Sequence, residues 1–293
     1  MSRYSSLPLC KNCQARPVHV DRGRVHDFCG RTCASSYYSP TLDGGQPTQS
    51  ETCLLCGSWE KAWVNGKLSD FCSKKCRDMV FTSSPLLLEI PATNDEFRDV
   101  SSLFRAAWKH PPAADKPIPG SVVKMYKIYS RESHMKRFRA YKEQVGNPRR
   151  RWHGTTRKCR LGDDATRTRF CSDQYCGMCG ILQSSFQLSK AHPAGTQSYQ
   201  RFGQGIYTSA TSSKAYDYIR NEGGSPYLTM ILSEVIMGKE CKLPQEDHTL
   251  KKPPAGYNSV VGEPGLTVNY DEAIVYTNDA IRPEYLVVFE PGS

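Results

Sequence analysis

Apolar residues recur at helical spacing after Thr93, where Phe97, Val100, Leu103, Phe104, Ala107 and Trp108 fall on one face. Thr93-Asn94-Asp95-Glu96 reads as a capping box ahead of them, and Pro111-Pro112 ends the helix. Val122 to Tyr129 is mostly β-branched or aromatic and predicts a strand. A second helix is expected from a Ser133 cap through Val145, with Phe138, Tyr141 and Val145 as its apolar side and Gly146 and Pro148 as its stop. Arg150 to Thr155 predicts a short buried strand, anchored by Trp152, that gives way to a turn at His153-Gly154. Ile181 to Leu188 predicts a helix with Ile181, Leu182 and Phe186 inward, and residues 190–202 read as loop. Tyr227 to Met237 is the longest apolar run and predicts a central strand. Pro253 to Gly256 predicts a turn, Ser259 to Val261 a short strand, and Glu272 to Thr277 and Tyr285 to Glu290 the last two strands. Many strands with few helices predict an α+β fold with a mixed, mainly antiparallel core.

The first 82 residues follow a different pattern, set by cysteines. Cys10-x2-Cys13-x15-Cys29-x3-Cys33 recurs as Cys53-x2-Cys56-x15-Cys72-x3-Cys76, every cysteine displaced by 43 residues. Asp27-Phe28-Cys29 maps onto Asp70-Phe71-Cys72, and Gly23 onto Gly66, so this is one structural unit in two copies. Two close pairs of thiolates suit a tetrahedral zinc ion, and a unit of this size needs the metal to fold. The Phe-Cys-x3-Cys end resembles FCS-type, treble-clef-like fingers. His19 and His26 break the repeat and are left out of the ligand set. A third set, Cys159, Cys171, Cys176 and Cys179, ends in the same Cys-x2-Cys knuckle and predicts a zinc-binding insert at 159–179; buried structural cysteine is the alternative. Cys241 is left over. The expected organisation is a finger at 1–40, a linker rich in Pro, Gly, Thr and Gln, a finger at 50–82 and a larger domain at 85–291. Trp59, Trp63, Tyr37 and Tyr38 are either a binding face or the fingers' own small cores.

Composition narrows the setting. At 293 residues, 38% hydrophobic and 23% charged, the chain has room for one large domain plus small ones. No apolar run is long enough to span a membrane, and Met1 to Ser6 lacks the apolar core of a signal peptide. Nucleus or cytoplasm is the expected location, with no membrane partner and a monomeric chain. Thiols stay reduced there, which favours metal over disulfides. The formal charge of +10 treats every cysteine as neutral. Twelve thiolates and three divalent ions bring it to about +4, so net charge alone is poor evidence for nucleic-acid binding. Between Arg131 and Arg169, thirteen Lys and Arg face four Asp and Glu, a basic stretch that brackets His153. It fits contact with a diphosphate or a nucleic acid. A solvated helix face followed by a polar loop fits it equally.

Three stretches carry a family resemblance: Trp152-His153-Gly154-Thr155; Gly203-Gln204-Gly205-Ile206-Tyr207 with Ser212 to Tyr218 after it; and Tyr270-Asp271-Glu272-Ala273-Ile274-Val275-Tyr276. In that order they resemble the poly(ADP-ribose) polymerase-like ADP-ribosyltransferase catalytic domain, of the diphtheria-toxin-type His-Tyr-Glu class, over roughly residues 85–290. The resemblance implies NAD⁺ as substrate and transfer of ADP-ribose to a protein or nucleic-acid acceptor with release of nicotinamide. It implies catalytic roles for Glu272, His153 and Tyr207. Glu272 would bond the 2′-hydroxyl of the nicotinamide ribose, and His153 the adenosine ribose. Gly154 and Thr155 would meet the carboxamide, Gly205 would belong to the cofactor-binding loop, and Tyr207 and Tyr218 would sandwich the nicotinamide ring. The chain departs from the pattern at Ala215, where the family often has a serine that holds the carboxamide; Ser212 and Ser213 are candidates to replace it. A cysteine set directly after the His-Gly turn is a second departure. The competing reading is a zinc-finger adaptor for nucleic acid or ubiquitin with a degenerate transferase fold. A tRNA 2′-phosphate transferase, which also uses NAD⁺, has no motif in its support.

Overall fold

Strict alternation along Ile281–Phe289 sends Leu286 and Val288 to one side of a sheet and Tyr285, Val287 and Phe289 to the other, each set buried in its own apolar cluster. In the computed structural model this strand, β15, is the middle of a five-stranded antiparallel sheet. The structure describes residues 7–12, 14–21, 24–30, 33–34, 52–111, 118–191, 200–265 and 268–292. The sheet runs β5 (Leu86–Glu89), β6 (Val122–Tyr129), β15, β11 (Leu228–Ile236) and β7 (Pro148–His153). A second sheet has four strands: β12 (Glu240–Leu243), β13 (Ser259–Gly262), β14 (Glu272–Val275) and β9 (Ile206–Thr208). All of its pairings are antiparallel except β12 with β13. The α+β, mainly antiparallel class read from the strand pattern is therefore the one found.

Helices cover both faces of the larger sheet. On one side lies α2 (Asp95–Ala106), whose Val100 and Phe104 are buried against Met125, Trp152, Met230 and Phe289. Its N-cap is Asn94, which accepts the Glu96 amide, so the capping signal sits one residue inside the expected Thr93. On the other side lies α4 (Gly177–Ser184), with Met178 and Leu182 against Ile231, Leu286 and Val288. It starts at the cysteine knuckle, four residues before the expected Ile181, and stops where Ser185 takes a left-handed φ of 58°. Leu188–Ala191 is a separate short helix, α5. The helix after β6, α3 (Glu132–Val145), is capped by Arg131 without a side-chain bond. Ser133 lies within its first turn rather than at its cap, and Gly146 ends it at φ 72°.

The chain falls into two compact units, Met1–Gln46 and Pro47–Ser293. The first contains the short hairpin β1 (Val20–Asp21) and β2 (Arg24–Val25), with Cys10, Val18 and Phe28 buried. In the second, the hairpin β3 (Trp63–Val64) and β4 (Lys67–Leu68) leads into α1 (Lys74–Ser83). Trp59 and Trp63 are each 71% exposed, so they form no part of the small apolar core around Cys53, Phe71 and Val80. Tyr37, Tyr38, Cys13, Gly23 and the linker residues up to 51 lie outside the described residues, as do 192–199 of the expected loop.

Candidate active site

The two sheets meet at a bridge between Trp152 and Ser209, whose backbones exchange bonds of 2.7 and 3.0 Å. That bridge draws the expected site residues together. His153 follows Trp152 at the end of β7, and its Nδ1 lies 2.9 Å from the Tyr207 carbonyl on β9. With the carbonyl as acceptor, Nδ1 carries the proton. Burial pulls the His153 pKa below its ordinary value, against the opposing pull of this bond, so the ring is neutral near pH 7. Phe186 meets its ring edge-on at 5.0 Å between centroids.

On the second sheet, Tyr207 pairs with Ile274. Glu272, two residues from Ile274, shares that face as Tyr207's diagonal neighbour. Glu272 is only 4% exposed and makes an ion pair of 3.1 Å with Lys214 of α6 (Ser212–Tyr216). The Lys214 ammonium also lies 5.4 Å from the centroid of the Tyr218 ring. Burial works against the Lys214 charge, but Tyr218 and Glu272 outweigh it and hold its pKa above the usual lysine range. Tyr207 is fixed through its hydroxyl, which donates to the Gly203 carbonyl at 2.8 Å and accepts the Phe202 amide at 2.9 Å. Burial pushes its phenol pKa up. Tyr218 is 53% exposed. Imidazole, both phenol rings and the carboxylate are thus linked through β7, β9, β14 and α6 by this chain of contacts.

The glycines explain how the elements approach so closely. A Cβ on Gly154 would sit 1.9 Å from the Ala215 carbonyl oxygen, so the turn after His153 packs directly on α6. A Cβ on Gly205 would sit 2.1 Å from the Ile274 side chain, which makes that glycine a packing residue between β9 and β14. Thr155 turns its hydroxyl toward Gly177, at the start of α4.

Ser212 and Ser213 do not stand in for the missing serine at Ala215. Both are fully buried. The Ser212 hydroxyl donates to the Phe104 carbonyl at 2.7 Å, and the Ser213 oxygen accepts the Lys109 and His110 amides at 3.0 and 3.1 Å. Two further residues escaped the sequence reading. Lys214 had a weak signal, as a lysine four places before Tyr218. Asp271 had none; it accepts from Ser209 Oγ, Ala210 N and Thr211 Oγ1 at 2.8–3.1 Å and ties the turn after β9 to the start of β14.

The cysteines gather as three groups in which all ligand sulfurs lie within 4.8 Å of one another: Cys53, Cys56, Cys72 and Cys76; Cys159, Cys171, Cys176 and Cys179; and Cys10, Cys29 and Cys33. Individual separations are 3.8 Å for Cys56–Cys72, 3.6 Å for Cys72–Cys76 and 3.6 Å for Cys159–Cys179. A tetrahedron with Zn–S bonds of about 2.3 Å has sulfurs about 3.8 Å apart, whereas a disulfide needs about 2.05 Å. The donor sets fit a divalent ion. The Cys159 group sits directly behind the His-Gly turn, with the Lys158 amide 3.4 Å from Cys176 Sγ.

Residues 167–267 match the family model for the poly(ADP-ribose) polymerase catalytic domain. The chain is also 31% identical over 134 residues to the protein mono-ADP-ribosyltransferase PARP3 of Mus musculus, across 45% of this chain and 20% of that protein. It therefore covers about a fifth of that relative's length. The family match takes in Tyr207, Lys214 and Tyr218; His153 and Glu272 fall outside it and are joined to it by the fold.

Proposed function

We propose that this chain is an NAD⁺-dependent ADP-ribosyltransferase. The observation that carries the reading is the buried Glu272–Lys214 pair set beside Tyr207 and Tyr218, with neutral His153 bonded to the backbone carbonyl of Tyr207. In the reaction the glycosidic bond between nicotinamide and ribose breaks, nicotinamide leaves with the bonding electrons, and positive charge develops on the sugar. A carboxylate held in a site of low polarity stabilises that charge more than water would. Glu272 is the group for this role, and its bond to the 2′-hydroxyl orients the ribose. Lys214 holds the carboxylate in one geometry. Tyr207, fixed by its two backbone bonds, is one stacking face for nicotinamide, and the exposed Tyr218 is the other. A proton lost by the protein or nucleic-acid acceptor passes to Glu272 or to solvent as the acceptor attacks the sugar.

The reading extends to the metal. The three cysteine groups, Cys13 completing the first, hold structural zinc, and the fingers select the acceptor. The chain works in the nucleus or cytoplasm, where these thiols stay reduced.

The test is NAD⁺ labelled on the adenylate phosphate, incubated with the protein and candidate acceptors, with nicotinamide release measured alongside. Glu272→Gln is expected to lower the rate about 100-fold or more while leaving the fold and zinc content intact. Full activity in that variant removes Glu272 from its role. Wild-type protein that neither binds nor cleaves NAD⁺ leaves the adaptor reading in its place.

A further inference from the structure

The two fingers repeat in sequence, but one position is used differently in each. In the first, Asp27 pairs with Lys11 at 3.1 Å on the finger's own surface, both about half exposed. The backbone at the matching place in the second finger is the same: Lys11 N bonds Asp27 O, and Leu54 N bonds Asp70 O, each at 3.0 Å. Leu54, however, stands where Lys11 would be and offers no charge. Asp70 turns to the large sheet instead. It accepts from Lys127 Nζ at 2.9 Å and from the Tyr129 hydroxyl at 2.8 Å, and Lys127 also bonds Glu96 at 2.9 Å. The finger's apolar core is shared in the same way: Cys53, Phe71 and Val80 are buried with Tyr129, and Leu86 and Leu88 of β5 pack against them.

Glu96 belongs to the first turn of α2, and the far end of α2 reaches the candidate site. The carbonyls of Phe104 and Ala107 accept from Ser212, and the amides of Lys109 and His110 donate to Ser213. Tyr270 donates its hydroxyl to the Lys109 carbonyl at 3.2 Å. Ser213 precedes Lys214, and Tyr270 lies two residues before Glu272. Both arms of the Lys214–Glu272 pair are therefore held by the segment that ends α2.

We infer that the second finger is part of the transferase scaffold and that Asp70 is its positioning residue, linking the finger's metal-held fold through Lys127, Glu96 and α2 to the Lys214–Glu272 pair. Asp27, whose ion pair is with Lys11 of the same finger, is the matched position for comparison. The inference rests on the proposed activity only for its kinetic consequence; the mechanical link stands apart from it. It makes the state of the Cys53, Cys56, Cys72 and Cys76 group a condition for an ordered carboxylate.

Hydrogen exchange on the full-length protein compares wild type, Asp70→Asn and the matched control Asp27→Asn. In Asp70→Asn, residues 104–110 and 212–216 are expected to exchange faster by roughly 3- to 30-fold, the range for coupling between packed elements, while Asp27→Asn matches wild type. The rate constant for NAD⁺ cleavage falls in the same proportion with KM nearly unchanged, since Asp70 is remote from the substrate. Lys127→Gln, which cuts the same link from the other side, is expected to repeat both effects and serves if Asp70→Asn does not fold. Unchanged exchange in these segments, or equal changes in Asp27→Asn, overturns the inference. Absence of NAD⁺ cleavage in wild type counts against the proposed activity alone, because exchange still decides the link.

Discussion

His153 is a single imidazole whose environment sets both its tautomer and a pH dependence. Its folded-state pKa lies below the ordinary value of about 6.5, because burial penalises the charged ring. The unfolded chain then binds a proton more readily than the folded one. The stability this histidine contributes is complete above about pH 6.5 and is lost as pH falls from there through the depressed folded value. The thermal midpoint should drop more steeply between pH 7.5 and 5.5 in wild type than in His153→Gln; equal slopes would show that the ring is not buried neutral. The residues of the candidate site are unevenly legible. His153, Tyr207, Tyr218 and Glu272 can be nominated from sequence because each sits in a short run with its own signature. Lys214 and Asp271 were not, because an ion pair between a helix and a strand, or a clasp across a turn, leaves no local pattern. The same limit explains Ser212 and Ser213. Their position near Ala215 suggested a cofactor role, while the partners that bond them lie more than 100 residues earlier in the chain.

At the scale of elements, the insert after the His-Gly turn shows how an irregular stretch is given a fixed shape. Arg157 on β8 (Thr156–Arg157) is 1% exposed and donates to Asp163 and to the Leu161 carbonyl, both at 2.9 Å, and to the Tyr227 carbonyl. Asp163 also accepts from Ser225 Oγ at 2.7 Å. Parallel pairing of β8 with β10 (Arg220–Asn221) closes the other side. An isolated buried cation is costly, so removing its partner should destabilise more than removing a surface charge. Asp163→Ala is expected to lower stability by about 3–5 kcal/mol in urea unfolding, a clearly larger loss than that of Asp164→Ala, whose side chain is half-exposed. Similar losses in the two variants would mean that Arg157 finds another partner. Strands with strong composition, such as Val122–Tyr129 and Leu228–Ile236, were readable to within a residue. The short ones, β8, β10 and β12, were not, since each exists only through its neighbour. Residues 176–179 read as a metal knuckle rather than a helix start, because their apolar side becomes apparent only against Ile231 and Leu286 of the sheet.

Across the whole molecule, the three cysteine groups differ in what else holds them, and that difference predicts an order of metal loss. Native mass spectrometry should find three zinc ions on the chain; two would leave one group as plain cysteine. The Cys159 group has Cys176 and Cys179 at 1% exposure in the cluster that also buries Ile231, Leu286 and Val288. The Cys53 group shares its core with Tyr129. The Cys10 group belongs to a unit of 46 residues, so small that a bound metal would supply the largest share of its folding energy. A chelator reaches an ion when the surrounding structure opens, and local opening is cheapest where the fewest apolar contacts must break. Under a graded chelator the mass should fall first by the ion of the Cys10 group, next by that of the Cys53 group and last by that of the Cys159 group, each assigned by which cysteines become open to alkylation. The first loss should leave exchange at residues 212–216 unaltered, and the second should raise it. Early alkylation of Cys176 and Cys179 would mean that the insert opens independently of the sheet it covers, and the wall behind the His-Gly turn would then have to be held by Arg157 and Asp163 rather than by metal.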